Sequence, residues 1–268
     1  MIEESTLDLV VLEILGSVLY ISILVYAWHR LANTSIVSQY LPSLLLVAIC
    51  LHGYISYLNI DGGEGHNLGL FNIFSMTTWL SMIIVYWNLI RHGSHALLLI
   101  SLPIAAISLL EVAFFSGVAS IEVTKDGADI FHILLGVLSM SILLLAAMQS
   151  LLVLYVDKGL RKHPASIHSW LGPLQSLERF LMQLLIVGFL FMSVSLLLAL
   201  NFSNESIHTQ APHKIILTIL SWFTLAALIF GHFKRGWRGV FAAKLTLIGV
   251  FLLLLGYFGS KLVLEFIL

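Results

Sequence analysis

The sequence predicts an all-α fold: a polytopic membrane helical bundle of eight transmembrane helices, with both termini on the periplasmic side. Three observations predict it. Of the 268 residues, 59% are hydrophobic and 10% are charged, and the mean hydropathy is +1.02. A soluble domain carries about 25% charged residues, so this chain cannot cover a water-facing surface. The apolar runs recur at lengths of ~20 residues, and at 1.5 Å per residue each crosses ~30 Å of hydrocarbon. The basic residues crowd onto alternate loops, which is the positive-inside pattern.

Taken in order, the spans are about 9–28, 37–59, 69–90, 95–117, 128–156, 179–200, 213–233 and 241–264. Each is apolar on every side, so periodicity does not say which face is buried. The connections are short, and residues 1–268 read as a single integral membrane domain. One set of loops holds Arg30, Arg91, Lys158, Arg161, Lys162, Arg179, Lys234, Arg235, Arg238 and Lys244. The other set holds only Lys125, Lys214 and Lys261 of the thirteen basic residues, beside carboxylates such as Glu3, Glu4, Asp61, Glu64, Glu122 and Glu205. The first set is therefore cytoplasmic, which puts both termini outside. Met1 to Asp8 has no basic n-region, so no cleavable signal peptide is expected.

Three outer loops follow from this: the Gly-rich Asn59 to Leu68, Gly117 to Ala128, and Asn201 to Ala211. The longest cytoplasmic connection, Asp157 to Arg179, contains Pro164, Pro173 and LQSLER. That last stretch reads as a short amphipathic helix along the interface. The chain has no repeat, no GxGxxG and no GxxxxGK, so no nucleic acid or nucleotide partner is expected; the lipid bilayer is. Cys50 is the one cysteine and reads as a small buried apolar residue.

Polar residues inside a membrane are costly and mark candidate functional positions. His52 lies about seven residues, or ~10 Å, inside the outer end of the second span. His132 lies at a similar depth in the fifth. Two histidines at one depth on two helices can hold an iron porphyrin from both sides. They can equally hydrogen-bond neighbouring helices and hold the bundle together, and spacing alone favours this second reading. His213 opens the seventh span at its outer mouth. His232 closes it, ~28 Å away at 1.5 Å per residue, just before the basic exit Lys234, Arg235, Trp237 and Arg238. His29, His92, His95, His163, His168, His66 and His208 fall in or near loops and read as solvated surface groups. Glu111 and Glu13 are carboxyls inside spans. Trp79, Trp87, Trp222 and Trp237, with Phe71 and Phe74, read as core and interfacial aromatics. No Ser–His–Asp, HExxH, CxxC or paired-carboxylate arrangement is present, so no enzymatic activity is expected.

Three stretches resemble a known family. They are His52 with the Gly-rich loop and NLGLFNIFSMTTWL, then DIFHILLGVLSMSILLLAAMQSLLVLY, then LQSLERFLMQLLIVGFLFMSVSLLLA with LSWFTLAALIFGHFKRGWRG. Their order resembles the cytochrome c assembly membrane proteins of the CcsA/CcmC/HemX type, and within them the branch of small inner-membrane proteins. The likeness runs from about residue 45 to the end. It implies a multi-pass protein of the bacterial inner (plasma) membrane that binds or handles haem in cytochrome c biogenesis or haem trafficking.

Carried over by position, His132 matches the family's outer histidine, His232 its membrane histidine before the basic exit, and His52 a histidine of the second span. The resemblance thus implies His52 and His132 as axial ligands of haem iron, His232 as an inner-side ligand and His213 as a further one. It implies haem, and cytochrome c assembly or haem-biosynthesis proteins, as partners. Haem-presenting members carry a Trp-rich outer loop ending in Trp-Asp-Pro; here the loop is NFSNESIHTQAPHK, without tryptophan. Two other classes therefore stay open: a HemX-like regulatory or accessory protein acting by contact, and a small permease.

Overall fold

A computed structural model of the chain describes residues 2–33, 39–61, 66–92, 95–115, 120–121, 127–162, 171–202 and 212–259. Among these, eight helices are long and apolar enough to cross a membrane. They are α1 (Ile2–Asn33), α2 (Leu41–Ile60), α3 (Leu70–His92), α4 (Ala96–Phe115), α5 (Gly127–Lys162), α6 (Leu174–Phe202), α7 (Pro212–Arg235) and α8 (Gly239–Leu254). The last runs on into a π-turn, Leu255–Gly259. In hydrocarbon every backbone N–H and C=O must be paired within the segment, and a helix does this.

The helices pack as two compact units, α1–α4 and α5–α8. In the first, α1 packs on α2 and α4, and α3 packs on the same two, closing a ring of four. Gly53 shows how closely the helices approach. A Cβ there would lie 2.8 Å from the Trp79 ring. Its absence lets the indole of α3 lie on α2 and donate Nε1–H to Ile49 O at 2.9 Å. One antiparallel pairing joins two connections of this unit, β1 (His66–Asn67) with β2 (Ser120–Ile121), in the register His66 to Ile121.

The second unit repeats the ring: α5 packs on α6 and α8, and α7 on the same two. With no hydrophobic force between helices in lipid, small residues and hydroxyl bonds hold them. Ser139 Oγ–H reaches Gly188 O at 3.0 Å between α5 and α6. Trp222 Nε1–H reaches Ser193 Oγ at 2.9 Å between α7 and α6, and Ser221 Oγ–H reaches Gly249 O at 2.7 Å between α7 and α8. In both units large apolar side chains such as Val25, Tyr57, Leu190 and Phe223 remain exposed, as helices facing lipid require.

The expected spans coincide with these helices, with three corrections. LQSLER is not a separate interfacial helix: it forms the first turns of α6. Pro173 ends the preceding segment, and its carbonyl accepts from Ser176 N–H and Leu177 N–H, so the helix starts there and runs on unbroken. Cys50 is exposed rather than buried. It lies on α2 away from the buried face that carries Leu45, Ile49, His52 and Ser56. His95 is only 4% exposed, because it opens α4 inside the packed end of its unit. Residues 116–119, 122–126 and 203–211 of the outer loops, the histidines at 163, 168 and 208, and the chain beyond 259 lie outside the described residues.

Candidate functional site

The end of α7 builds a local site around His232. Gly236 takes a positive φ of 69°, and Gly239 one of 62°, a region that favours glycine and stops a helix. The turn brings Trp237 back over the helix, with its N–H bonded to Gly231 O at 3.3 Å. A Cβ on Gly231 would overlap the indole. So positioned, Trp237 O lies 2.8 Å from His232 Nδ1. A carbonyl only accepts, so Nδ1 carries the proton and Nε2 is the nitrogen left with a lone pair. This second bond is how metal-binding histidines are usually oriented.

His232 lines a cavity of about 430 Å³ between the start of α6, the end of α7 and the start of α8. Ligand pockets typically span about 300–1,000 Å³. Its wall mixes Leu181, Met182, Ile186 and Ala242 with Gln175, Glu178, Arg179, Gln183 and Arg238. The lining thus combines apolar side chains with two guanidinium groups and one carboxylate.

His132, on α5, is half-buried. Its Nδ1 lies 2.9 Å from Ser195 O and 3.1 Å from Ser195 Oγ on α6. The carbonyl again fixes the proton on Nδ1 and leaves the lone pair on Nε2. The cavity at His232 reaches along α6 no further than Ile186. Nine residues separate Ile186 from Ser195, ~13 Å of helix rise. His132 and His232 therefore belong to different ends of the α5–α8 unit and cannot share one iron.

His52 is placed otherwise. It is fully buried in the α1–α4 unit. Nδ1 lies 3.2 Å from Tyr20 Oη and Nε2 3.0 Å from Ser75 Oγ. Both ring nitrogens are engaged, so the imidazole would have to release one to take haem iron. The residues at His132 and His232 fit an axial ligand; His52 as arranged does not. His213 opens α7 and is exposed. His95, buried at the start of α4, has its imidazole pushed below the usual histidine range by that burial. Among the described residues no three His, Cys, Asp or Glu side chains gather as a metal centre, and haem iron needs only one or two.

Comparison with known proteins decides the family. A family model described as cytochrome c assembly protein matches residues 11–268. The chain belongs to the cytochrome c assembly protein family. This cytochrome c assembly protein is 27% identical over 240 residues to the inner membrane protein YpjD of Escherichia coli K12, covering 90% of this chain and 89% of that one. It is similar to the same protein of Escherichia coli O157:H7 to the same extent. It is also 30% identical over 140 residues to a 28.8 kDa protein from the nifR3-like 5′ region of Azospirillum brasilense, covering 51% of this chain and 52% of that one. No solved structure matches it.

Several residues of the structured core are invisible to motif reading. Ser195 sits 63 positions from His132, and Tyr20 sits 32 from His52. The regular spacing Glu13, Ser17, Tyr20 on α1 and His52, Ser56, Asn59 on α2 is the signal that finds the second group.

Proposed function

We propose that this is a non-catalytic haem-handling protein of the bacterial inner membrane, acting in cytochrome c biogenesis or haem trafficking. The observation that carries the reading is the matched orientation of two histidines. His132 and His232 each tie Nδ1 to a backbone carbonyl, at 2.9 and 2.8 Å, which leaves the lone pair on Nε2. Family membership supplies the cargo that such nitrogens suit.

On the positive-inside reading, His232 stands at the cytoplasmic end of its unit and His132 toward the periplasm. Haem at His232 would be held by the apolar Leu181, Met182 and Ile186, with the guanidinium groups of Arg179 and Arg238 available to its carboxylates. His132 would hold haem at the other end. Bound haem supplies an iron that takes an imidazole; the protein's part is to orient that imidazole and exclude water from the apolar side chains. Partners are cytochrome c assembly or haem-biosynthesis proteins, met at the membrane surfaces.

The tryptophan-free loop NFSNESIHTQAPHK favours a second reading, in which the protein is an accessory component acting by contact rather than presenting haem itself. Haemin titration of the purified protein, followed in the visible, tests the first. His132→Ala and His232→Ala should each lose one of the two haems bound per protein, and the double variant should bind none. A double variant that binds like the parent sinks the reading and leaves the accessory role in front.

A further inference from the structure

The α1–α4 unit carries a polar site that owes nothing to α5–α8. Glu13 is 1% exposed. Its Oε1 accepts Asn59 Nδ2–H at 2.7 Å, and Asn59 O accepts from Asn72 Nδ2 at 3.4 Å. Its Oε2 has no partner among the described residues, and no cation there pairs with it. Seven residues, ~10 Å of rise, separate Glu13 from Tyr20 on α1, and seven separate Asn59 from His52 on α2. The carboxyl cluster and the Tyr20–His52–Ser75 cluster are therefore stacked ~10 Å apart along the core of the unit.

Ser17 and Ser56 stand in that gap. Ser17 falls between Glu13 and Tyr20 on one face of α1, and Ser56 between His52 and Asn59 on one face of α2. They are 1% and 6% exposed, and neither hydroxyl has a partner among the described residues. Other serines of this chain behave differently. Ser81, Ser141, Ser150 and Ser193 each turn Oγ–H onto the carbonyl four residues back, the usual retreat of a helical serine. Ser17 and Ser56 leave that bond unmade. Asn72 Oδ1 and Thr77 Oγ1 are unpartnered as well. Unpaired polar atoms are costly in a membrane interior, and buried water is the ordinary partner for a cluster of them.

We propose that the core of the α1–α4 unit holds bound water joining the Glu13 carboxyl to the His52 imidazole, forming an intramembrane proton-exchange site. In each step one O–H or N–H bond breaks at the donor and one forms on the adjacent water, hydroxyl or ring nitrogen, so no other reactant is needed. Tyr20 and Ser75 flank His52 with hydroxyls that both donate and accept. Thr78 Oγ1 lies 2.7 Å from Ser108 Oγ and extends the polar face onto α4. The ionisable side chains on this face are Glu13 and Tyr20 from α1 and His52 from α2. α3 contributes Asn72, Ser75 and Thr78, and α4 adds Ser108.

Infrared spectroscopy of the full-length protein in lipid nanodiscs tests this. The expected spectrum has a carboxylic-acid carbonyl band that persists in Glu111→Gln and is missing in Glu13→Gln. That band should shift promptly on transfer to D₂O. Ser17→Ala/Ser56→Ala should slow the shift at least tenfold by drying the gap; Ser56→Ala alone serves if the pair does not fold. Equal exchange in the alanine variant overturns the water chain. Absence of any band assignable to Glu13 overturns the proton site, and a band that appears only when Na⁺ is withdrawn overturns it in favour of a cation site.

Discussion

His232 Nδ1 and Trp237 O lie 2.8 Å apart, five residues distant in the chain and joined by a glycine turn. The sequence GHFKRGW encodes this directly. Gly231 makes room for the indole, Gly236 supplies the left-handed turn, and the returning carbonyl sets the imidazole. Gly231→Ala places a methyl group inside the Trp237 ring position. The variant should lose about 1–3 kcal/mol of stability from overpacking. It should also lose about 10–100-fold in haem affinity, as when a metal-binding histidine loses its orienting partner. Thermal unfolding and haemin titration read the two effects separately.

The partner of His132 is a backbone carbonyl, with the Ser195 hydroxyl as a second contact at 3.1 Å. Ser195→Ala removes the hydroxyl and keeps the carbonyl. Haem affinity should therefore change less than about tenfold, while His132→Ala loses the site at that end. Equal losses in the two variants would show that the hydroxyl, not the carbonyl, orients the ring.

His52→Ala should behave as a packing mutation. It leaves Tyr20 and Ser75 hydroxyls without their ring partners and opens a void, at a cost of about 2–4 kcal/mol. Haem bound per protein should stay at the parent level. A variant that folds with parental stability but loses its haem would return His52 to the ligand set.

His95 gives the protein an acid-sensitive end. Burial holds its imidazole below the ordinary value of 6.5, so the unfolded chain binds this proton more readily than the folded one. The associated stability is complete above about pH 6.5 and is lost as pH falls toward the folded value. The unfolding temperature should drop between pH 7 and pH 5, and His95→Gln should flatten that slope. An unchanged slope would place the acid sensitivity elsewhere.

Length and hydropathy made the eight helices readable, since crossing hydrocarbon needs a long apolar run whatever its neighbours. The same uniformity hid which face packs. Cys50 reads as buried and is exposed; His95 reads as a surface group and is buried. LQSLER carries charge enough to suggest an interface, yet Pro173 ends the loop and the helix continues into the membrane from Leu174. The partner of His232 lies within the same short motif. The partners of His52 and His132 come from other helices, which no local pattern reveals. The Glu13–Ser17–Tyr20 and His52–Ser56–Asn59 faces were open to view as polar residues at helical spacing, although only packing shows that the two faces meet.

The most direct test is the visible spectrum of the protein purified from membranes, oxidised and reduced, beside His132→Ala and His232→Ala. The account predicts an imidazole-ligated haem spectrum in the parent, weakened in each variant and absent when both are combined. A parent that is colourless, and remains so after haemin is added, contradicts it.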